Sequence, residues 1–206
     1  MPAPNDIARR VSRETAERLE IFADELTRWQ RALNLVAPST LPQLWARHID
    51  DSLQVAELEP DVGTWIDLGS GGGLPGLIVA AMEPRRPTVL VESDGRKAAF
   101  LRSTARRMGV SVEVRHGRIE AVVPDLKPGS GTVVSARALA PLDRLLAYAQ
   151  PLLSAGAVGV FPKGRNAEAE LTEAAKSWIF SAQAVPSRTD PEGRIIRIRD
   201  FAGPRT

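Results

Sequence analysis

A glycine-rich turn stands where an apolar strand should end, in Trp65-Ile66-Asp67-Leu68-Gly69-Ser70-Gly71-Gly72-Gly73-Leu74-Pro75-Gly76. Glycine takes backbone angles that side chains forbid and lets a ligand press against the main chain. The acid Asp67 precedes Gly69, Gly71 and Gly73, and Pro75 suits the opening of a helix. Such a turn lets a nucleotide-like molecule lie across the strand end. Two later strand ends occupy comparable places. Glu92 closes the next apolar stretch, where an acid can accept from both hydroxyls of a ribose. Gly117-Arg118-Ile119-Glu120 follows a third, and apolar Ile119 beside a backbone donor suits an adenine ring.

These residues need elements to position them. Strands are predicted at Thr64–Leu68, Thr88–Val91, Val112–Arg115, Thr132–Ser135 and Ala157–Phe161. Helices fit between them at Pro75–Met82, Arg96–Met108, Leu142–Leu153 and Asn166–Lys176. Strand and helix in alternation favour a parallel sheet covered by helices. The end differs, because Ala182–Pro186 and Ile195–Ile198 flank Asp190-Pro191-Glu192-Gly193 and read as a hairpin. A mostly parallel seven-stranded sheet closed by an antiparallel hairpin is the class I methyltransferase (Rossmann-like) pattern. Before it, residues 1–60 read as a helical extension to a compact unit at 61–206. Ser12 can cap a helix on which Leu19, Phe22, Leu26, Trp29 and Leu33 form one apolar stripe, and Pro38 ends it. A second helix starts near Pro42 with Trp45, Ile49, Leu53 and Ala56 on one face. Glu59-Pro60-Asp61-Val62-Gly63 reads as the joint.

Two cofactors compete for the glycine turn. S-adenosylmethionine carries cationic amino and sulfonium groups that call for carboxylates and carbonyls, and a carboxylate that can use backbone N–H groups. Asp67, Glu92 and the turn offer these. Gly71-x-Gly73-x-x-Gly76 also fits the nicotinamide-dinucleotide pattern, which alone is weak. The acid ahead of the glycines, the terminal hairpin and the lack of a distinct catalytic domain favour S-adenosylmethionine.

Composition narrows the chemistry. At 206 residues the chain can bury one core with room for a small extension. It has no cysteine, which excludes thiolate nucleophiles, disulfides and thiolate metal sites. His48 and His116 are the only histidines, so no metal is expected. The longest apolar run, around Leu77 to Met82, is too short to cross a bilayer, and the start lacks a signal-peptide segment, so a cytoplasmic protein with no membrane partner is expected. Apart from Lys97, Lys127, Lys163 and Lys176, every basic residue is arginine, and the net charge is +2. That balance permits a nucleic-acid partner without demanding one.

Further segments occur in one order: Trp29 with Asn34-Leu35, Arg47-His48-x-x-Asp51-Ser52-Leu53, the glycine turn, Glu92-Ser93, Lys97, Phe100-Leu101, Ser135-Ala136-Arg137-Ala138 and Lys163-Gly164. The chain from about residue 15 to 200 resembles the small-subunit ribosomal RNA methyltransferase G family, also called the glucose-inhibited division protein B family. That resemblance implies S-adenosylmethionine-dependent methylation of N7 of one guanine in 16S rRNA, with the rRNA or the small ribosomal subunit as partner. It implies cofactor contacts at Gly69, Leu74, Ile119, Glu120 and Arg137. Departures include Gln30 in place of asparagine, Val36 in place of threonine or serine, Glu92 in place of aspartate, and Phe161-Pro162 before Lys163.

Guanine N7 carries a lone pair and no proton, so the reaction needs no general base, nucleophile or metal. Alignment and exclusion of water would supply the catalysis, and the base must leave its stack. Arg137 is expected to position the substrate, and Arg47, His48, Lys163 and Arg165 to contact RNA near the mouth. Without the resemblance, Arg47 and Asp51 read as an i,i+4 ion pair. His116 reads as structural, the Trp29 stripe as core, and Trp178 has no assignment. Arg194, Arg197 and Arg199 are read as one face of a solvated edge strand. A monomer is favoured. A small-molecule methyltransferase, an NAD(P)-dependent oxidoreductase and a non-catalytic RNA-binding module are the rival readings.

Overall fold

The computed structural model describes residues 1–59 and 63–205. Most of the joint predicted at 59–63 therefore lies outside the described residues. A short helix α1 (Asn5–Ala8) buries Ile7 and leads into α2 (Arg13–Gln30). The Ser12 hydroxyl accepts from the Thr15 N–H at 3.1 Å and caps α2, whose Leu19, Phe22 and Leu26 are fully buried. The helix stops at Gln30, well short of Pro38. The Gln30 side chain replaces the next turn, accepting from the Leu35 and Val36 N–H groups at 3.0 and 3.1 Å and donating to the Val36 carbonyl at 2.8 Å. Trp29 packs edge-on against Phe100, so the stripe is core.

The predicted second helix is three pieces. A 3-10 segment (Pro38–Gln43) passes into a π-helical turn (Trp45–Asp50) and then α3 (Asp51–Glu57). Trp45, Ile49, Leu53 and Ala56 are all buried, as their spacing predicts. The π turn is wider than an α turn. Arg47 and Asp51 therefore do not pair, and Arg47 lies nearest Asp190, at 3.9 Å.

The rest alternates strand and helix: β1 (Trp65–Leu68), α4 (Gly76–Met82), β2 (Thr88–Glu92), α5 (Gly95–Met108), β3 (Glu113–His116), α6 (Ile119–Val122), β4 (Val133–Ser135), α7 (Leu142–Ser154), β5 (Val158–Lys163), α8 (Ala167–Ser177), β6 (Trp178–Pro186) and β7 (Arg194–Pro204). The seven strands lie in the order β3-β2-β1-β4-β5-β7-β6, and only the contacts of β7 with β5 and β6 are antiparallel. One face buries α2, α4 and α5 in a core that includes Phe22, Leu77 and Phe100. The other buries α7 and α8 over β4, β5 and β7, around Leu145, Leu152 and Phe161. The topology reverses at β1, which lies between β2 and β4, and that is where open α/β sheets leave a crevice for ligands.

The hairpin strands are longer than predicted and change the reading of the arginines. β7 is an interior strand between β5 and β6, not an edge. A strand alternates its faces, so Arg194 cannot share a face with Arg197 and Arg199. Arg197 and Arg199 both reach the buried Glu59 carboxylate, at 2.5 and 3.1 Å, whereas Arg194 donates to the Pro191 and Gly193 carbonyls. Trp178 opens β6 and packs on Phe201 with ring centroids 5.6 Å apart. His116 is exposed, with Nε2 at 3.2 Å from the Ser93 carbonyl. Among the described residues no helix is long and apolar enough to cross a membrane.

Candidate active site

Two cavities open at the carboxyl end of the parallel strands. The smaller, about 340 Å³, is walled by the turns after β1, β2 and β3 and by the chain after β4. Gly69, Gly71, Leu74, Glu92, Ile119, Glu120 and Arg137 line it, as do Leu35, Lys97 and Arg118, which the sequence motifs contain but to which they gave no ligand role. Gly69 has φ +65°, and a β-carbon there would come within 2.7 Å of the Leu139 side chain. The angle favours glycine, and a side chain there would also have to displace Leu139. Glu92 holds the turn in place: its Oε2 accepts from the Gly71 N–H at 2.8 Å and its Oε1 from the Asp94 N–H at 2.7 Å. Asp94 in turn caps α5 by accepting from the N–H groups of Arg96 and Lys97.

Asp67 and Gly73 do not line this cavity. Asp67 is fully buried beneath the turn. Its Oδ1 accepts from the Ser135 hydroxyl at 2.7 Å and its Oδ2 from the Gly76 N–H at 3.3 Å. Burial pushes its pKa up to about 6, against the pull of these hydrogen bonds. The acid ahead of the glycines therefore braces the turn from below and does not face the cavity. The missing side chain of Gly73 faces Leu77 and Leu101, inside the fold. These two placements also count against a dinucleotide. The start of α4, where a pyrophosphate would sit, already meets the Asp67 carboxylate.

The larger cavity, about 900 Å³, lies beside the first and shares Leu35, Arg137, Ala138 and Leu139 with it. Arg47, His48, Asp51 and Lys163 line it, with Ser187, Thr189 and Asp190 of the hairpin turn. Arg137 follows β4 and has a side chain only 16% exposed. Its Nη2 donates to His48 Nδ1 at 3.0 Å, and its Nη1 lies 3.4 Å from Asp51 Oδ2 and 3.5 Å from the Arg47 carbonyl. The next residue, Ala138, has φ +52°, which costs a side-chain-bearing residue about 1–2 kcal/mol. Backbone strain of this kind concentrates at functional sites. Asp51 Oδ1 also accepts from Gln54 at 2.9 Å and from Thr189 at 3.0 Å, which ties the π turn and α3 to the hairpin.

Residues 15–195 match the family model for rRNA small subunit methyltransferase G. The chain belongs to the rRNA small subunit methyltransferase G family. The Methylobacterium radiotolerans member is 52% identical over 196 residues, which cover 94% of this chain and 92% of the relative. The Gluconobacter oxydans member is 52% identical over 191 residues, covering 93% and 96%. An O-methyltransferase from Bacillus cereus, solved in complex with SAH, shares the fold at TM-score 0.58 and 16% identity, covering 87% of this chain and 90% of that one. The Streptomyces achromogenes O-methyltransferase TomG, solved in complex with SAM, does so at 0.57 and 16%, covering 91% and 90%. At such identities the likeness concerns the class I methyltransferase fold alone.

For a member of the methyltransferase G family, the basic residues of the larger cavity are unevenly disposed. Lys163 is nearly buried, with Nζ at 2.8 Å from Glu170 Oε2 and 2.7 Å from the Ala140 carbonyl, so its charge is already paired. Arg165 is exposed and does not line the cavity. Arg47 is 46% exposed, and its only ionic neighbour among the described residues is Asp190. Gln30, which departs from the family's usual asparagine, keeps a polar role by fixing the backbone that presents Leu35 to both cavities.

Proposed function

We propose that this chain transfers a methyl group from S-adenosylmethionine, held in the smaller cavity, to N7 of a guanine of 16S rRNA admitted to the larger one. The reading rests on one observation. The two cavities meet at Leu35, Arg137, Ala138 and Leu139, so ligands in each would face one another across a single junction.

The residues present fit that cofactor. The volume lies at the lower end of the roughly 300–1,000 Å³ usual for small-molecule sites. Each Glu92 oxygen accepts one backbone N–H and keeps acceptor capacity for a ribose hydroxyl. Ile119 gives an apolar surface for a purine, and Glu120 and the turn carbonyls suit cationic groups. When bound, S-adenosylmethionine supplies an electrophilic methyl carbon on a sulfonium. The chain's own residues then orient the base and exclude water. Nothing need remove a proton, because N7 has none. Both ring nitrogens of His48 are hydrogen-bonded within the protein, which leaves it unavailable as a base.

In this reading Gly69, Gly71, Leu74, Glu92, Ile119 and Glu120 hold the cofactor. Asp67 and Gly73 act from behind the turn. Arg137 stands at the junction and positions the base, and Arg47 approaches RNA at the rim. Residues 1–60 serve as an extension that supplies one wall of the substrate cavity to the methyl-transfer unit at 61–206. The enzyme acts as a cytoplasmic monomer on the small subunit or its rRNA. The test is transfer of labelled methyl from S-adenosylmethionine to unmodified small subunits, followed by mapping of the label. Incorporation at one guanine N7 is expected. Label on no RNA, or spread over many bases, overturns the reading.

A further inference from the structure

We infer that His48 is a positioning residue, which fixes Arg137 at the junction of the two cavities and ties it to the segment 37–40. This rests on the methyl-transfer reading above.

The hydrogen-bond directions can be assigned without ambiguity. A guanidinium only donates. Arg137 Nη2 lies 3.0 Å from His48 Nδ1, so Nδ1 must carry a lone pair and the ring must bear its proton on Nε2. That Nε2–H points at Thr40 Oγ1, 2.7 Å away. The Thr40 hydroxyl in turn donates to the Ala37 carbonyl at 2.8 Å. The relay therefore runs one way, from Arg137 through His48 and Thr40 to the backbone of Ala37.

The His48 contact is also the best one Arg137 makes. The Asp51 and Arg47 partners stand at 3.4 and 3.5 Å, near the limit for a hydrogen bond. Removing the imidazole would leave the guanidinium held only by these long contacts. Burial, together with the positive charges of Arg137 and Arg47, pushes the His48 pKa down to about 4 and keeps the ring neutral near pH 7. With both nitrogens engaged, the ring has no free polar edge for RNA. Its influence on the reaction passes through Arg137.

The test uses the full-length protein with two substitutions. His48→Asn places an amide oxygen close to where Nδ1 stands, and His48→Phe keeps a flat ring with no acceptor. Methyl transfer to unmodified small subunits is measured for kcat and for KM separately. For His48→Phe, kcat is expected to fall by up to about 100-fold, the scale of a misplaced positioning group, with a smaller change in KM. His48→Asn is expected to recover most of the loss. Full turnover in a folded His48→Phe protein overturns the inference, and so does a folded His48→Asn as impaired as His48→Phe. A second readout needs no variant to fold and no activity. The nitrogen NMR signature of His48 in the wild-type protein at pH 7 should be that of the neutral Nε2–H tautomer. An imidazolium or an Nδ1–H tautomer overturns the relay. A wild type that shows the expected tautomer but transfers no methyl group would instead overturn the proposed function.

Discussion

The smaller cavity is built by turns that directly follow three adjacent strands, and it is stiffened from below. Asp67, Gly73 and Gly76 face inward, and Glu92 clips the turn to the chain after β2 by accepting from the Gly71 and Asp94 N–H groups. The larger cavity is assembled from stretches far apart in the chain: the segment around 34–51, the chain after β4, and the hairpin turn. Side chains hold it together, chiefly Arg137, His48, Asp51, Gln54 and Thr189. Substitutions should therefore act differently in the two regions. Behind the glycine turn they should cost folding, and in the side-chain network they should cost chemistry.

The largest effect is expected from Arg137→Ala. It removes the group at the junction, and turnover on unmodified small subunits should fall by about 100-fold. Asp51 keeps its bonds to Gln54 and Thr189, so the melting temperature should move little. A protein that loses stability as steeply as activity would break the proposed contrast. Gly76→Ala probes the other side. A β-carbon there would collide with Leu90 Cδ2 and stand 2.9 Å from Asp67 Oδ2. Overpacking of this kind costs about 1–3 kcal/mol. Urea unfolding should show that loss, while the protein that remains folded keeps its turnover.

Glu92→Gln should have a smaller effect. The amide preserves the shape but confronts one of the two backbone donors with an N–H₂ group. It also takes one acceptor away from a ribose hydroxyl, and loss of that hydrogen bond to a charged acceptor is worth about 1.5 kcal/mol, or about tenfold in S-adenosylmethionine affinity by calorimetry. Unchanged affinity would remove Glu92 from the cofactor's contacts.

The same contrast explains what could be read from the residues alone. Each strand of the parallel sheet announces itself by an apolar run, and the cavity-lining turn comes immediately after it. That is why the Gly69–Leu74 turn, Glu92 and the Ile119–Glu120 corner could be picked out locally. Burial cannot be read from position along the chain. Asp67 looks like a ligand because it precedes the glycines, yet β1 is central and covered on both sides, so its carboxylate turns inward. The larger cavity needs tertiary proximity, which no local pattern encodes. Thr189 and Asp190 lie in a hairpin turn with nothing to link them to His48, and the π turn that separates Arg47 from Asp51 breaks the spacing rule used to pair them. The role of Arg197 and Arg199 became visible only once β7 proved interior, beside Glu59.

A pH-dependent effect has opposite signs in the two regions. His48 has a folded pKa of about 4, below its ordinary 6.5, chiefly through burial. Between those values the unfolded chain takes up a proton that the native state refuses, so this residue makes the protein less stable as pH falls from about 6.5 to 4. Asp67 behaves inversely. Its folded pKa is raised to about 6 from 3.8 by burial, so its contribution is fully present below pH 3.8 and is lost as pH rises through 6. Melting temperatures across pH 4 to 7.5 should separate the two. His48→Asn should gain on the wild type as pH falls through this window, because it no longer titrates. Asp67→Asn should gain on the wild type as pH rises through about 6, whatever fixed cost the amide brings. Parallel curves for all three proteins would mean that neither group is held as its surroundings imply. A slope that changed only in Asp67→Asn would confine the buried titration to the floor of the smaller cavity and leave the His48 ring open to solvent.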